Sequence, residues 1–192
     1  MLESSKNSPM LNGPIEFDFT VEIERSASEV FPLVDLSDPR FSQVALGNTV
    51  KKLDEKSFEL EIAEMEGHAF RFRVVEYAKD ERHASKVTIE PAIGNLVEAV
   101  EDYQITPLGD DRCALTLVTK ATFSDDLSVE EIVQEVAMMS MAVEEDLTKL
   151  KMHAEEGVEA VKAYNEEQEA AFGIELDLEG FDIDWDDIEP EQ

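Results

Sequence analysis

Basic residues are scarce in this sequence. Its 192 residues include 16 Lys and Arg against 46 Asp and Glu, which gives a formal net charge of −30 at pH 7. A field of that sign repels phosphates and anionic lipid headgroups, and the few basic residues do not cluster. The composition therefore disfavours nucleic acids and anionic membrane surfaces as partners.

Cysteine and long apolar runs are also scarce. The single cysteine, Cys113, has no partner for an intramolecular disulfide, and its place in the apolar alternation CALTLV indicates a small buried hydrophobic residue. No apolar run reaches the roughly 18 residues that a membrane-spanning helix needs, and the first residues lack the apolar core of a signal peptide. We therefore expect a cytoplasmic protein without membrane insertion.

The sequence lacks recognisable motifs for metal, phosphate or nucleophile chemistry. Its three histidines, His68, His83 and His153, have no Cys, His or Asp at ligand spacing. A Gly-rich phosphate loop and a Gly-x-Ser-x-Gly motif are both missing. We expect neither a metal nor a cofactor, and the motifs assign no catalytic residue.

Periodicity divides the chain into three parts. Residues 1–14 carry Ser, Asn, Gly and Pro without a regular pattern and predict a flexible leader. Residues 15–164 alternate apolar and polar positions regularly and are long enough for one domain with a core. Residues 165–192 form an acidic and hydrophobic C-terminal tail without Lys or Arg.

The predicted domain begins with a strand and two short helices. The segment EFDFTVEI alternates with a period of two, as a strand with one buried face does. Ser26 and Glu29 form a capping box that predicts a helix start, and Pro32 predicts that this helix is short or kinked. A second start is expected with Asp38 as N-cap and Pro39 in the first helical position.

Six further strands and one helix are predicted after them. The strand patterns between positions 46 and 123 are separated by short turn signals, and short connections join antiparallel neighbours. From Ser128 onward, apolar residues recur every three or four positions and predict one long amphipathic helix of eight or more turns. The expected class is α+β, with a seven-stranded antiparallel curved sheet gripping a long C-terminal helix.

This order of elements resembles the helix-grip fold of the START-like (SRPBCC) superfamily. The segment ASEVFPLVDLSDPRF is similar to the superfamily's stretch after strand one, through Ala27, Glu29, Val30–Phe31 and Leu36–Ser37–Asp38. The segment DLTKLKMHAEEG resembles the end of its C-terminal helix, through Leu147, Leu150, Lys151 and Ala154–Glu155. The resemblance covers about residues 15 to 162.

The resemblance implies a cavity between the sheet and the long helix, with the short helices and hairpin loops at its mouth. Functions in the superfamily range from carriage of lipids and hydrophobic ligands to polyketide cyclisation and hormone sensing. The Cys-x-His pair that accompanies this fold in ring-hydroxylating oxygenases is missing, which argues against an oxygenase subunit.

We predict a lining for this cavity from one face of each strand and the inner stripe of the helix, and the same residues would also suit a filled core. Apolar walls with few polar groups are typical of ligand sites, and Met side chains adapt to irregular shapes. The candidates, with Cys113 beside them, are Phe17, Phe19, Val21, Phe31, Phe58, Leu60, Ile62, Phe70, Phe72, Val74, Leu115, Leu117, Val136, Met139, Ser140 and Val143.

A catalytic cavity would need charged side chains that face it, and the predicted strands offer two sets of candidates. Arg71 and Arg73 alternate with the phenylalanines, so we expect them to face solvent; in the opposite register they could hold a carboxylate or carbonyl. Glu98 and Asp102 share a strand face, and a carboxylate there would be a general base only if it is desolvated.

The C-terminal tail alternates acidic and apolar residues. This pattern is typical either of a loose, solvated segment or of one that docks on this domain or on a basic partner protein, with Phe181 and Trp185 as anchors. The sequence as a whole favours reversible binding of a small hydrophobic molecule, such as a lipid, polyketide or isoprenoid, by a carrier or sensor. The alternatives are a cyclase or dehydratase using the same cavity and an interaction protein acting through the tail.

Overall fold

The computed structural model describes residues 14–63, 65–125 and 127–175. These residues form seven strands and four helices. In chain order they are β1 Ile15–Ile23, α1 Ala27–Val34, α2 Ser42–Ala45, β2 Thr49–Lys52, β3 Ser57–Glu61, β4 Ala69–Ala78, β5 Arg82–Glu90, β6 Leu96–Pro107, β7 Cys113–Phe123, α3 Val129–Glu156 and α4 Val158–Glu175.

All seven strands belong to one antiparallel sheet in the order β1-β7-β6-β5-β4-β3-β2. Strands β2 to β7 follow one another as a meander, and β1 pairs with β7 at the far edge. The predicted α+β class, the strand count and the long helix against the sheet are confirmed.

The inner face of the sheet, which packs against α1 and α3, carries the main core. Leu115 and Leu117 on β7 are almost completely buried there, and Leu147 of α3 lies against them with no exposed surface. Cys113 belongs to the same cluster, as its sequence pattern predicted. Burial of this apolar surface is the main force that holds the helix on the sheet.

The first helix follows its sequence signals, whereas the second does not. The Glu29 carboxylate accepts hydrogen bonds from the Ser26 amide at 3.1 Å and hydroxyl at 2.6 Å, and α1 ends after eight residues with Pro32 inside it. The prediction that Asp38 and Pro39 start the second helix is wrong, since α2 begins at Ser42. The Asp38 carboxylate instead accepts hydrogen bonds from the amide and guanidinium of Arg40, which forms a turn.

The long C-terminal helix is two helices rather than one. Ser128 caps α3 as predicted, with its hydroxyl accepting from the Glu131 amide. At Gly157 the backbone takes φ 94° and ψ 169°, which interrupts the helical hydrogen bonds, and α4 starts at the next residue. Such dihedrals are open almost only to glycine. α4 then runs past position 165, where the sequence predicted the acidic tail to begin.

The outer face of the sheet carries ion pairs. Arg82 on β5 donates to both carboxylate oxygens of Asp102 on β6, at 2.8 and 2.7 Å, and Gln104 donates to the same carboxylate. Lys86 on β5 pairs with Glu98 on β6, four residues away along each strand. Within residues 14–63, 65–125 and 127–175, no helix is long and apolar enough to cross a membrane.

Candidate ligand cavity

A partly enclosed cavity of about 130 Å³ lies between the inner face of the sheet and helices α1, α2 and α3. Leu60, Phe70 and Phe72 line one wall, with Ile62 from the loop after β3 beside them. Leu33 and the segment around α2 close the opposite side. The volume is below the roughly 300–1,000 Å³ of sites for drug-sized ligands, so a small molecule or one end of a larger one fits it.

Strand pairing builds the apolar wall. Leu60 lies opposite Phe70 and Phe58 lies opposite Phe72 across β3 and β4, so the rings and branched chains share the inner face. Alternation then turns Arg71 and Arg73 to the outer face, where Arg71 pairs with Glu59 and Glu90. The guanidinium groups are therefore not available to a ligand in the cavity.

A polar band interrupts the apolar surface at the middle of the inner face. It consists of Ser85 on β5, Glu101 on β6 and Thr119 on β7, which lie directly opposite one another across the three strands. Ser85 is 3% exposed and Thr119 is fully buried, and neither hydroxyl has a hydrogen-bond partner among the described residues. Ser85 and Glu101 line the cavity. An unpaired buried hydroxyl costs about 1–3 kcal/mol, so this band is unfavourable unless a ligand or water bonds to it.

Two carboxyl groups with altered ionisation face the cavity, Glu101 from the sheet and Asp146 from α3. Burial, with a contribution from the Asp146 charge, raises the pKa of Glu101 to about 7. Burial also raises the pKa of Asp146 to about 6, although the Lys149 ammonium acts in the opposite direction. Asp146 has an exposed surface, but that surface lines the cavity, where the surrounding protein still desolvates the carboxylate.

Tyr103 and Lys149 complete the polar part of the lining. Burial, followed by the nearby Glu101 and Asp146 charges, raises the pKa of the Tyr103 phenol well above its usual value, so this group stays protonated. The Lys149 ammonium lies 2.8 Å from a carboxylate oxygen of Glu145 on the same helix. The cavity therefore offers a permanent hydroxyl donor, while its ammonium group is already paired.

A β-bulge places Tyr77 beside His83, and His83 lines the cavity. The register of β4 against β5 shifts between Val74 and Glu76, and the extra residue turns Tyr77 to the same face as Phe72. Tyr77 lies edge-on to His83 with ring centroids 6.0 Å apart, and its hydroxyl donates to Asp35 at the end of α1. Burial lowers the pKa of His83.

A hydrogen bond joins the helices on the other side of the cavity. The Ser42 hydroxyl of α2 lies 2.9 Å from Nδ1 of His153 on α3. Ser42 lines the cavity and is buried. This contact fixes the start of α2 against α3, although α2 itself is only one turn long.

The structure brings together only part of the lining predicted from the sequence. Leu60, Ile62, Phe70 and Phe72 line the cavity. The remaining candidates lie elsewhere: Phe31, Leu115, Leu117 and Val143 in the main core, Phe17, Phe19 and Val21 packed against it, Val136 and Met139 against a second cluster around Ile132, and Phe58, Val74 and Ser140 also away from this cavity. Phe181 and Trp185 lie outside the described residues.

The sequence interpretation did not identify Glu101, the charged residue of β6 that lines the cavity. It grouped Glu98 and Asp102 with Leu96 on one face, whereas the register shifts between Leu96 and Glu98. Past this bulge, Glu101 and Tyr103 turn inward with Ile105, and Glu98 and Asp102 turn outward. The alternation of Tyr103 and Ile105 with polar residues was the available signal.

Asp102 on the outer face remains ionised despite its burial. Burial acts to raise its pKa, but hydrogen bonds from Arg82 and Gln104 outweigh that effect and hold the pKa below its usual value. Among the residues described, no group of three His, Cys, Asp or Glu side chains is arranged to bind a metal ion.

Comparisons with known proteins find similarity only in three dimensions. No protein-family model and no curated protein matches the sequence. The Aha1 dimer from Colwellia psychrerythraea matches with a TM-score of 0.55 at 11% identity, over 74% of this chain and 98% of that chain. A conserved protein from Geobacillus kaustophilus matches with a TM-score of 0.54 at 14% identity, over 73% and 95%. DynU16, a protein in the dynemicin biosynthetic locus, matches with a TM-score of 0.53 at 17% identity, over 74% and 48%.

These matches agree with the element order and sheet topology described above. The chain has the helix-grip fold, in which a seven-stranded antiparallel sheet packs against a long helix. At such identities the similarity establishes the fold alone, so the function has to be argued from the cavity.

Proposed function

We propose that the protein reversibly binds a small, mainly apolar molecule in the cavity between the sheet and α3, as a carrier or sensor. The observation that carries the proposal is that one cavity combines an apolar wall, at Leu60, Phe70 and Phe72, with the buried Ser85 hydroxyl, which has no partner among the described residues, and the Glu101 carboxyl group. A ligand that covers the wall and donates or accepts at the polar band would remove both unfavourable features.

The size of the cavity sets the expected affinity of a simple probe. An aromatic ring buries roughly 150 Å² of apolar surface, and at about 25 cal/mol per Å² this gives about 4 kcal/mol. The corresponding dissociation constant is about 1 mM, so a one-ring probe needs millimolar concentrations. A natural ligand with correctly placed polar atoms would bind more tightly.

The first test identifies the ligand. The protein is purified under mild conditions, denatured, and the extract is analysed by mass spectrometry for a stoichiometric small molecule. A compound with an apolar body supports the proposal and names its class.

The second test locates the binding. Benzyl alcohol is titrated into ¹⁵N-labelled full-length protein, and saturable shifts are expected at residues around Phe70 and Phe72. A Ser85→Leu variant, which fills the cavity, is expected to lose these shifts, whereas Ser28→Leu on the exposed side of α1 should retain them. Shifts that are unchanged in Ser85→Leu, or that never saturate, would rule out this cavity.

A second candidate function is proton-transfer catalysis of the cyclase or dehydratase type. It is favoured by Glu101, whose burial-raised pKa of about 7 suits a general acid or base at neutral pH. Tyr103 would donate a hydrogen bond to a developing oxyanion. This function predicts protein-catalysed deuterium exchange at the methyl group of acetophenone in D₂O that Glu101→Gln abolishes. If the exchange rate equals that in buffer, the catalytic function is ruled out and only ligand binding remains proposed.

The tail-mediated interaction expected from the sequence rests on Phe181 and Trp185. Both residues lie outside the described ranges, and the contacts of residues 14–63, 65–125 and 127–175 add nothing in its favour. The proposal therefore rests on the cavity.

A further inference from the structure

The charge of the cavity indicates what kind of polar group its ligand carries. Two carboxyl groups, Glu101 and Asp146, line it from opposite sides, and no hydrogen bond or ion pair between described residues involves the Glu101 carboxylate. The Asp146 charge adds to the burial that disfavours ionisation of Glu101. A positive charge placed near both would remove that repulsion and compensate the desolvation.

The protein itself supplies little positive charge at this place. Lys149 is the cationic residue of the lining, and its ammonium already binds Glu145 at 2.8 Å. Arg71 and Arg73 lie on the outer face, and His83 is buried with a lowered pKa, which keeps its ring neutral. The overall charge of −30 adds a further attraction for cations.

A second observation points to a ligand independently of the carboxylates. The Ser85 hydroxyl is buried, lines the cavity next to Glu101 and has no hydrogen-bond partner in the part of the chain that the structure describes. An unpaired hydroxyl of this kind is rare unless a ligand or water satisfies it. Tyr103, on the same strand as Glu101, presents its phenol to the same space. An N–H group at this point could bond to several of these oxygens together.

We propose that the ligand of this cavity carries a basic nitrogen on a small apolar body, with the nitrogen bound at Glu101 and Asp146 and the body against Phe70 and Phe72. This inference rests on the proposed function and specifies its ligand class. The ammonium donates to the carboxylates and to the Ser85 hydroxyl oxygen, while the apolar body covers the wall. A neutral molecule of the same shape would leave at least one carboxylate desolvated and unpaired.

The proposal predicts a defined pH dependence. The groups that face Glu101 are Ser85 from β5, Thr119 from β7, and Asp146 and Lys149 from α3, with Tyr103 and His83 nearby. Of these, the two acids are the groups that change charge just below neutrality. Amine binding requires ionised carboxylate, so the affinity falls by about tenfold for each pH unit below about 7.

The test uses three probes of one size: benzylamine, benzyl alcohol and benzoate. Each is titrated into full-length protein by NMR at about pH 8, where Glu101 is ionised and benzylamine is protonated. We expect benzylamine to bind roughly tenfold more tightly than benzyl alcohol, and benzoate to bind least. Glu101→Gln should remove the preference for the amine while the alcohol still binds, and the matched variant Glu98→Gln, on the outer face of the same strand, should keep it.

The outcomes separate this inference from the function on which it rests. If benzyl alcohol binds and benzylamine has no advantage, or if benzoate binds best, the basic-nitrogen inference is overturned and ligand binding stands. If an amine preference survives in Glu101→Gln/Asp146→Asn, the amine is bound elsewhere and the inference is again wrong. If none of the three probes binds in the cavity, the proposed function falls and takes the inference with it.

Discussion

Ser85 and Glu101 lie directly opposite each other on β5 and β6, yet no hydrogen bond joins their side chains. In most folded proteins, neighbouring polar groups of this kind pair, because a buried group without a partner destabilises the fold. Here both groups turn toward the cavity. Because the Glu101 carboxyl group is buried without a hydrogen bond from Ser85, its ionisation should lower the stability of the protein.

Replacing Glu101 with Gln should stabilise the protein at alkaline pH. The folded-state pKa of Glu101 is about 7 against 4.5 for a free side chain, so the folded state binds the proton more tightly. Wild-type stability is therefore lost as the pH rises from 4.5 to 7. The full shift corresponds to about 3 kcal/mol, and screening in the open cavity reduces it to about 2 kcal/mol.

Urea unfolding of both proteins measures this effect. The Glu101→Gln variant should have a free energy of unfolding about 2 kcal/mol above wild type at about pH 8 and equal to it at about pH 4. Glu98→Gln corrects for the change in net charge. A constant difference across the whole pH range would contradict the assigned ionisation.

Truncation of Leu147 should destabilise the contact of α3 with the sheet. This side chain is fully buried in the main core, so Leu147→Ala is expected to cost about 2–5 kcal/mol. Val133→Ala, on the exposed side of the same helix, should change stability by less than about 0.5 kcal/mol. Equal effects of the two substitutions in a denaturant titration would mean that α3 is not packed as described.

The break between α3 and α4 should depend on Gly157. Nothing lies within 4 Å of a Cβ at this position, so Gly157→Ala meets no steric obstacle and acts through the backbone alone. With φ 94° the alanine should lower the free energy of unfolding by about 1–3 kcal/mol. A variant with increased stability and higher helix content by circular dichroism would indicate that the two helices merge.

The Arg82–Asp102 pair should be more sensitive to loss of one partner than of both. Asp102 is 6% exposed, so Arg82→Ala leaves a nearly buried carboxylate with only Gln104 as donor and should cost about 2 kcal/mol. The double variant Arg82→Ala/Asp102→Ala also removes the unpaired carboxylate, so it should recover part of the lost free energy of unfolding. Thermal unfolding of the two single variants and the double variant measures this. If the double variant is destabilised by the sum of two large single effects, this explanation is wrong.

The architecture could be predicted because its signals are local and repeated. Alternation around Phe17 or Leu115, the capping serines Ser26 and Ser128, and short turns between strands each determine one element without tertiary information. Alternation also placed Phe70 and Phe72 on the face opposite Arg71 and Arg73, although it left open which face is the inner one. These predictions used only the period of the pattern.

The lining of the cavity depends on irregularities that alternation does not predict. The bulge between Leu96 and Glu98 reverses the alternation on β6, and no residue there marks a bulge as a glycine would. The bulge at Val74 and Glu76 does the same for Tyr77. Gly157 does carry a sequence signal, since glycine within a helical pattern often ends a helix.

The polar band across Ser85, Glu101 and Thr119 also shows where this sequence departs from the best one for its backbone. A designer who optimised this fold for stability alone would place valine or leucine at all three positions, because each faces inward between apolar neighbours. The chain instead keeps two unpaired hydroxyls and a desolvated carboxyl group in adjacent strands. It gives up folding free energy on a part of the inner face where Ser85 and Glu101 line the cavity.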